Sequence, residues 1–386
     1  MMKWIRNAEL YRPAPAGRKD ILVAGEKIAR IEDRIEPPAS WDLEVIEAAG
    51  RICCPGFVDL HVHLLGGGGE GGAATRTPEI VFSRITGAGV TTVVGCLGTD
   101  DVSRRPEALL AKARQLEAEG ITARIYTGSY HLPPATITGS VRRDLVLINE
   151  VIGVGEIAVS DHRSAAPTLA ELARVSAEAR VGGMLGGKAG LVHLHMGDGK
   201  AGLDPVFRLV EETDIPIGQF LPTHVNRNAR LFEQAVGFAR AGGHIDLTVM
   251  GENADFPKGT AGALARAQEA GVDGGQISLS SDANGSMPVF DESGNLVRLA
   301  VADIAALHEE FCRLVEHGVS LSDALALVTT NPARRIGLAD RKGGLFVGAD
   351  ADLLILEPNL SVDTVVARGR VVVKDGATVV KGTFEV

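Results

Sequence analysis

Pro55-Gly56-Phe57-Val58-Asp59-Leu60-His61-Val62-His63 is an apolar run that opens on a turn pair and closes on two histidines. Such a run reads as a buried parallel strand. Side chains on a strand alternate between faces, so His61 and His63 point the same way and can chelate one cation at the strand's carboxyl end. Working outward, similar runs recur at 91–97, 124–128, 151–156, 191–196, 220–224, 244–249 and 276–282, eight in all. Helical patterns at 106–119, 168–180, 230–241 and 259–270 lie between them, and another at 303–316 follows the last. Eight such units predict an α/β fold, the (β/α)8 TIM barrel, whose chemistry sits at the carboxyl ends of the strands. A doubly wound sheet is the alternative, but the dinucleotide-binding glycine pattern is missing after the first strand.

Both ends of the chain read differently. Short strand patterns occur at 21–24, 27–32 and 45–47, and again at 351–356, 364–367, 370–374 and 377–380. Neither set buries enough to stand alone, so residues 1–54 and 343–386 are expected to pair into one small β-sandwich domain beside a barrel of residues 55–342. With 45% hydrophobic and 23% charged residues among 386, the chain reads as globular, neither disordered nor membrane-spanning. A net charge of −10 without a basic run argues against a nucleic-acid partner. Cys53 and Cys54 are neighbours while Cys96 and Cys312 stand apart, which fits neither a disulfide framework nor a thiolate zinc site. With no apolar leader segment at the amino terminus, a cytoplasmic location is expected.

Four of the ten histidines fall at the carboxyl ends of predicted strands: His61, His63, His195 and His224. Asp282 closes the eighth strand and Glu156 the fourth. A carboxylate can offer one oxygen to each of two cations, so Glu156 becomes a candidate bridge between divalent ions. Zinc suits such a set of imidazoles and carboxylates without thiolates. His193 shares a face with His195 one layer deeper and reads as a core residue. Lys188 lies before the fifth strand, at the wrong end for a ligand.

Beyond the opening motif, Asn331-Pro332-Ala333-Arg334 and Asp350-Ala351-Asp352-Leu353 resemble the amidohydrolase superfamily. Gly66-Gly67-Gly68-Gly69-Glu70, Ser160-Asp161-His162-Arg163-Ser164-Ala165-Ala166-Pro167, Thr223-His224-Val225-Asn226-Arg227-Asn228 and Ser280-Ser281-Asp282-Ala283-Asn284-Gly285-Ser286 resemble, within it, the isoaspartyl (β-aspartyl) dipeptidases. The resemblance runs almost end to end. It implies a zinc-dependent barrel with a flanking β domain, assembled as a homo-oligomer, an octamer. It also implies that His61, His63 and Asp282 hold one metal and His195 and His224 the second. Where that family commonly has a carbamylated lysine between two zinc ions, this chain has Glu156, whose side chain is three atoms shorter. The strand end or the metals must therefore sit closer together.

The implied reaction is hydrolysis of a β-aspartyl dipeptide by a metal-activated hydroxide. Asp282 is the expected proton shuttle and Tyr130, just after the third strand, the expected oxyanion donor. Such a substrate carries one α-amine and two carboxylates. Glu70 is the expected acid for the amine, Arg163 and Arg227 the forks for the carboxylates, and Thr99 and Ser286 further contacts. Alternatively, the arginines pair with rim acids such as Asp161. Two rival functions are a related hydrolase of N-acyl amino acids or hydantoin-like rings, and a catalytically silent barrel serving as an assembly or binding protein.

Overall fold

The computed structural model describes residues 2–290 and 296–385. Six parallel strands, Phe57–Val62, Val90–Gly95, Thr122–Thr127, Val151–Val159, Leu191–Met196 and Phe220–Thr223, pair in chain order. Ile245–Thr248 pairs in parallel with Ile277–Ser280 and packs beside the sixth strand, and Val62 meets Ala283 in a parallel bridge that draws the last strand to the first. These eight strands fall in the eight predicted runs, and the fold is the expected barrel. Helices Pro106–Glu119, Leu169–Gly186, Ala229–Arg240, Gly259–Glu269 and Ala305–Glu316 wrap it where the helical period predicted them. Phe82–Gly87, Val141–Leu147 and Asp204–Glu212 are additional outer helices, too short for a clear period.

The terminal segments share one sheet. Ile52–Pro55 pairs in parallel with the strand Met2–Tyr11 on one side and antiparallel with Leu353–Leu356 on the other, joining amino-terminal to carboxyl-terminal strands. Strand alternation explains the adjacent cysteines: Cys53 faces the small domain's core with Ile5, Leu10 and Ile355, whereas Cys54 faces the barrel core with Phe57 and Leu354. They serve two apolar layers, and all four cysteines are free.

The sequence reading passed over two strand features. Met2–Tyr11 is a full strand despite Arg6 and Asn7, which fall at an irregularity in its pairing with Pro15–Ala24. Ser286–Phe290 and Leu296–Val301 form an antiparallel pair after the eighth strand. The alternation of Val297, Leu299 and Val301 is the signal that marks it.

The closing Asp350-Ala351-Asp352 motif fastens the two domains. The Lys342 ammonium is 1% exposed; it lies 2.9 Å from the Asp350 carboxylate and in direct contact with that of Asp352. Asp350 also pairs with Lys27 at 2.6 Å, but removing the Lys342 cation leaves the poorly solvated Asp352 carboxylate without a cation beside a second carboxylate. Lys342→Met is therefore expected to lower stability by about 3 kcal/mol, read from the urea midpoint. A change below roughly 0.5 kcal/mol, the range of ordinary surface substitutions, would contradict this account of the joint.

Candidate active site

Burial alone does not explain the far end of the barrel. Five strands bring His61, His63, Glu156, His195, His224 and Asp282 together, with Glu156 and His61 wholly buried; Glu156 lies within the fourth strand, Val151–Val159, rather than closing it as the sequence suggested. The Glu156 carboxylate divides its oxygens. Oε2 lies 3.2 Å from His61 Nε2 and 3.8 Å from His63 Nε2, while Oε1 lies 2.6 Å from His195 Nδ1 and 3.3 Å from His224 Nε2. Asp282 Oδ1 stands on the first side, 3.4 Å from His61 Nε2 and 3.1 Å from His63 Nε2.

Several of these contacts are not hydrogen bonds: both His61 nitrogens, Glu156 Oε2 and Asp282 Oδ1 are buried with no hydrogen-bond partner. Ligands about 2.1 Å from a shared tetrahedral ion stand roughly 3.4 Å apart, close to the observed spacing. Buried polar atoms are normally satisfied. The unpaired atoms thus fit a divalent cation on the His61, His63 and Asp282 side of Glu156; on the other side Oε1 lies within hydrogen-bond distance of His195 and His224, which also have metal-ligand chemistry.

Surrounding residues fix these side chains. His61 N–H donates to Asp59 Oδ1 (3.1 Å), and the Asp59 carboxylate also accepts from the Ser281 amide (3.3 Å) and hydroxyl, tying the first strand to the eighth. His224 and Asp282 both have left-handed backbones, at φ 58° and 55°. Non-glycine residues adopt that conformation at a cost and most often at functional sites. Thr248 Oγ1 lies 2.6 Å from His224 Nδ1, leaving Nε2 for Glu156. Asp161 Oδ2 does the same for His195, 3.1 Å from Nε2.

Burial would push the Glu156 carboxyl up, but the nearby His61 and His195 imidazoles hold it well below the usual carboxylate range. Burial likewise opposes ionisation of Asp282, and His61 and His63 overcome it. His224, buried beside His195, is pushed down to about 3 despite Glu156 and is a neutral imidazole. Burial and the Glu156 charge raise Tyr130 well above the ordinary phenol range, so it keeps its proton.

A cavity of about 650 Å³ opens over this cluster, lined by Glu70, Thr99, Tyr130, Arg163, Arg227 and Ser286 among others. The sequence-predicted residues thus converge on one mouth. Tyr130 Oη lies 2.8 Å from His195 Nδ1. Arg163 does pair with Asp161, at 3.0 and 2.9 Å through Nε and Nη2, and its Nη1 also reaches Glu70 Oε1 at 3.4 Å. Thr99 Oγ1 donates to the same Glu70 oxygen at 3.4 Å. Arg227 Nε donates to the Met196 carbonyl at 3.2 Å. His193 is a buried floor, stacked on Tyr126 at 4.6 Å, and Lys188 points to the opposite end, donating to the Leu145 carbonyl at 2.7 Å.

The sequence reading missed three participants. Cys96, taken as isolated, has its Sγ 3.8 Å from His63 Nδ1. Arg298 reaches the cavity from the antiparallel pair after the eighth strand. Asp161 was expected only as an alternative partner for the arginines, and its second role, beside His195 Nε2 at 3.1 Å, was missed.

Known proteins resemble this chain. Residues 223–372 match the amidohydrolase family model. A β-aspartyl dipeptidase from Fervidobacterium islandicum AW-1, solved with β-Asp-Leu, is 44% identical over 98% of both chains with a TM-score of 0.92. The chain belongs to the β-aspartyl dipeptidase family of amidohydrolases. A D-hydantoinase from Thermus sp., 18% identical with a TM-score of 0.69, shares the fold. Dihydroorotase from Staphylococcus aureus (strain MRSA252) is 31% identical over 161 residues, a match spanning 42% of this chain and 35% of that enzyme.

Partners that orient a metal-binding imidazole govern metal retention. Thr248→Val removes the His224 Nδ1 partner without touching a predicted ligand, and metal affinity measured by chelator competition is expected to fall about 10–100-fold. Unchanged affinity would mean that the hydroxyl does not orient the ring.

Proposed function

We propose that this protein is a cytoplasmic, homo-oligomeric dipeptidase that holds two zinc ions per chain, bridged by Glu156, and hydrolyses β-aspartyl dipeptides. One observation carries the substrate assignment. Glu70 Oε2 and Ser286 Oγ are buried without hydrogen-bond partners in the same cavity as the metal-type cluster, beside Arg163 and Arg227. An acid with one oxygen held by Arg163 and Thr99 and the other unpartnered, in a cavity that also holds Arg227, matches a ligand with one ammonium and two carboxylates. A hydantoin-like ring brings no ammonium and leaves Glu70 unanswered. The relative solved with β-Asp-Leu supports the same reading.

Divalent cations held by His61, His63 and Asp282 on one side of Glu156 and by His195 and His224 on the other would supply Lewis-acid activation of the attacking water and of the amide carbonyl. Asp282, ionised at neutral pH, accepts the water's proton and delivers it to the departing amine. Tyr130, kept protonated, donates to the carbonyl oxygen as negative charge grows there. Glu70 takes the α-amine and the two arginines the carboxylates. Four unpaired cysteines suit a reducing compartment, and the exposed apolar side chains of Val146, Leu147, Met184 and Leu185 suit contact between subunits.

The test is a turnover screen with β-Asp-Leu, α-Asp-Leu, N-acetyl amino acids and dihydroorotate, in which β-Asp-Leu is the substrate expected to turn over. Metal-stripped protein should recover with Zn²⁺ alone in bicarbonate-free buffer; dependence on bicarbonate would remove Glu156 as the bridge. Arg227→Met is expected to lower kcat/KM for β-Asp-Leu about 10²-fold at unchanged metal content, and an unchanged kcat/KM removes Arg227 from the pocket.

A further inference from the structure

Glu156 has only three carbons between its Cα and its carboxylate oxygens, yet it must reach the middle of the barrel mouth to face histidines from opposite walls. The pairing of the fourth strand with the fifth shows how. Gly153 pairs with Leu191 and Val154 with Val192, but the next pair is Ile157 with Leu194. Gly155 and Glu156 therefore both stand opposite His193, a one-residue β-bulge. A bulge bends its strand and re-aims the side chain it carries. Here the extra residue adds backbone where the side chain is short.

Space for that backbone exists only because residue 155 has no side chain. Its φ is +155°, and a Cβ there would lie 2.7 Å from both His193 Cβ and the His193 carbonyl oxygen. His193 cannot yield. It is wholly buried, with its ring stacked on Tyr126 at an interplanar angle of 11° and edge-on to His61 at 88°.

Resting on the assignment of Glu156 as the metal bridge, we propose that Gly155 is a positioning residue. The bulge it permits opposite His193 carries the Glu156 carboxylate far enough inward to face both sets of histidines, and the binuclear site exists only with that bulge. Glycine at 155 is thus as necessary to the metal pair as the ligands are, although it touches no ion.

Three variants of the full chain test this: Gly155→Ala, deletion of Gly155 and Glu156→Gln. Each is loaded with Zn²⁺, freed of excess metal and assayed for ions per chain and for Tm with and without metal. Manganese-loaded samples report spin coupling between paired ions by electron paramagnetic resonance. Wild type is expected to hold two ions and to gain Tm on metal binding. Gly155→Ala is expected to lower the metal-free Tm through its clash with His193 and, beyond that, to retain one ion or fewer and lose the coupled signal and most of the metal-induced rise in Tm. The deletion restores regular pairing without adding a Cβ, so it should fold and show the same metal defect.

If Gly155→Ala or the deletion keeps two coupled ions while Glu156→Gln loses them, the bulge proposal is overturned and the bridge stands. If Glu156→Gln keeps two coupled ions, the bridge itself is wrong and the proposal falls with it. Equal losses of Tm with and without metal, or failure of both Gly155 variants to fold, would make the bulge a structural element only and also overturn the positioning role.

Discussion

A carboxylate shut away from water, with one oxygen turned to each of two histidine pairs, is the constraint around which this barrel is arranged. Burying a charge costs several kcal/mol unless partners meet it on every open side. Histidines from the first, fifth and sixth strands surround Glu156 at 2.6 to 3.8 Å, but its Oε2 has no hydrogen-bond partner, an opening that a cation would fill. The attraction is mutual. The same imidazoles that keep Glu156 ionised would be costly in a dry interior without it, so the cluster stands or falls as a unit.

The scaffold keeps that unit in place from below and from the side. Asp59 joins the first and last strands directly beneath the histidine pair, and burial pushes its carboxyl up to about 7 despite the hydrogen bonds it accepts. Thr248 and Asp161 each occupy one nitrogen of an imidazole so that the other faces Glu156. Asp161 also grips Arg163, which links the metal-facing layer to the substrate-facing layer above it. The small domain does its work at a distance: the strand Ile52–Pro55 enters the first barrel strand, so the sheet that holds the chain's two ends also anchors the start of the histidine motif.

Much of this was legible in the sequence because parallel barrel strands are buried on both faces and read as continuous apolar runs. Their carboxyl ends then stand out as the places where His61, His63, Glu156, His195, His224 and Asp282 interrupt the pattern. What stayed hidden depends on pairing rather than periodicity. Gly155 looks like any glycine until the register against Leu191–Met196 shows two residues opposite one. Cys96 looks isolated until the second strand is laid beside the first, and Arg298 looks like a surface residue until its strand pairs back over the mouth. The expectation that a shorter bridging residue requires the strand end or the metals to sit closer together was a statement about chain length; the extra residue opposite His193 shows only when the strands are paired.

The central claim is that Glu156 lies between two metal ions and contacts both. X-ray diffraction from zinc-loaded crystals, with anomalous difference maps recorded at the zinc edge, tests it most directly. The account predicts two peaks per chain flanking the Glu156 carboxylate, one beside His61, His63 and Asp282 and the other beside His195 and His224. A single peak, or two peaks with the carboxylate turned away from either, would contradict it.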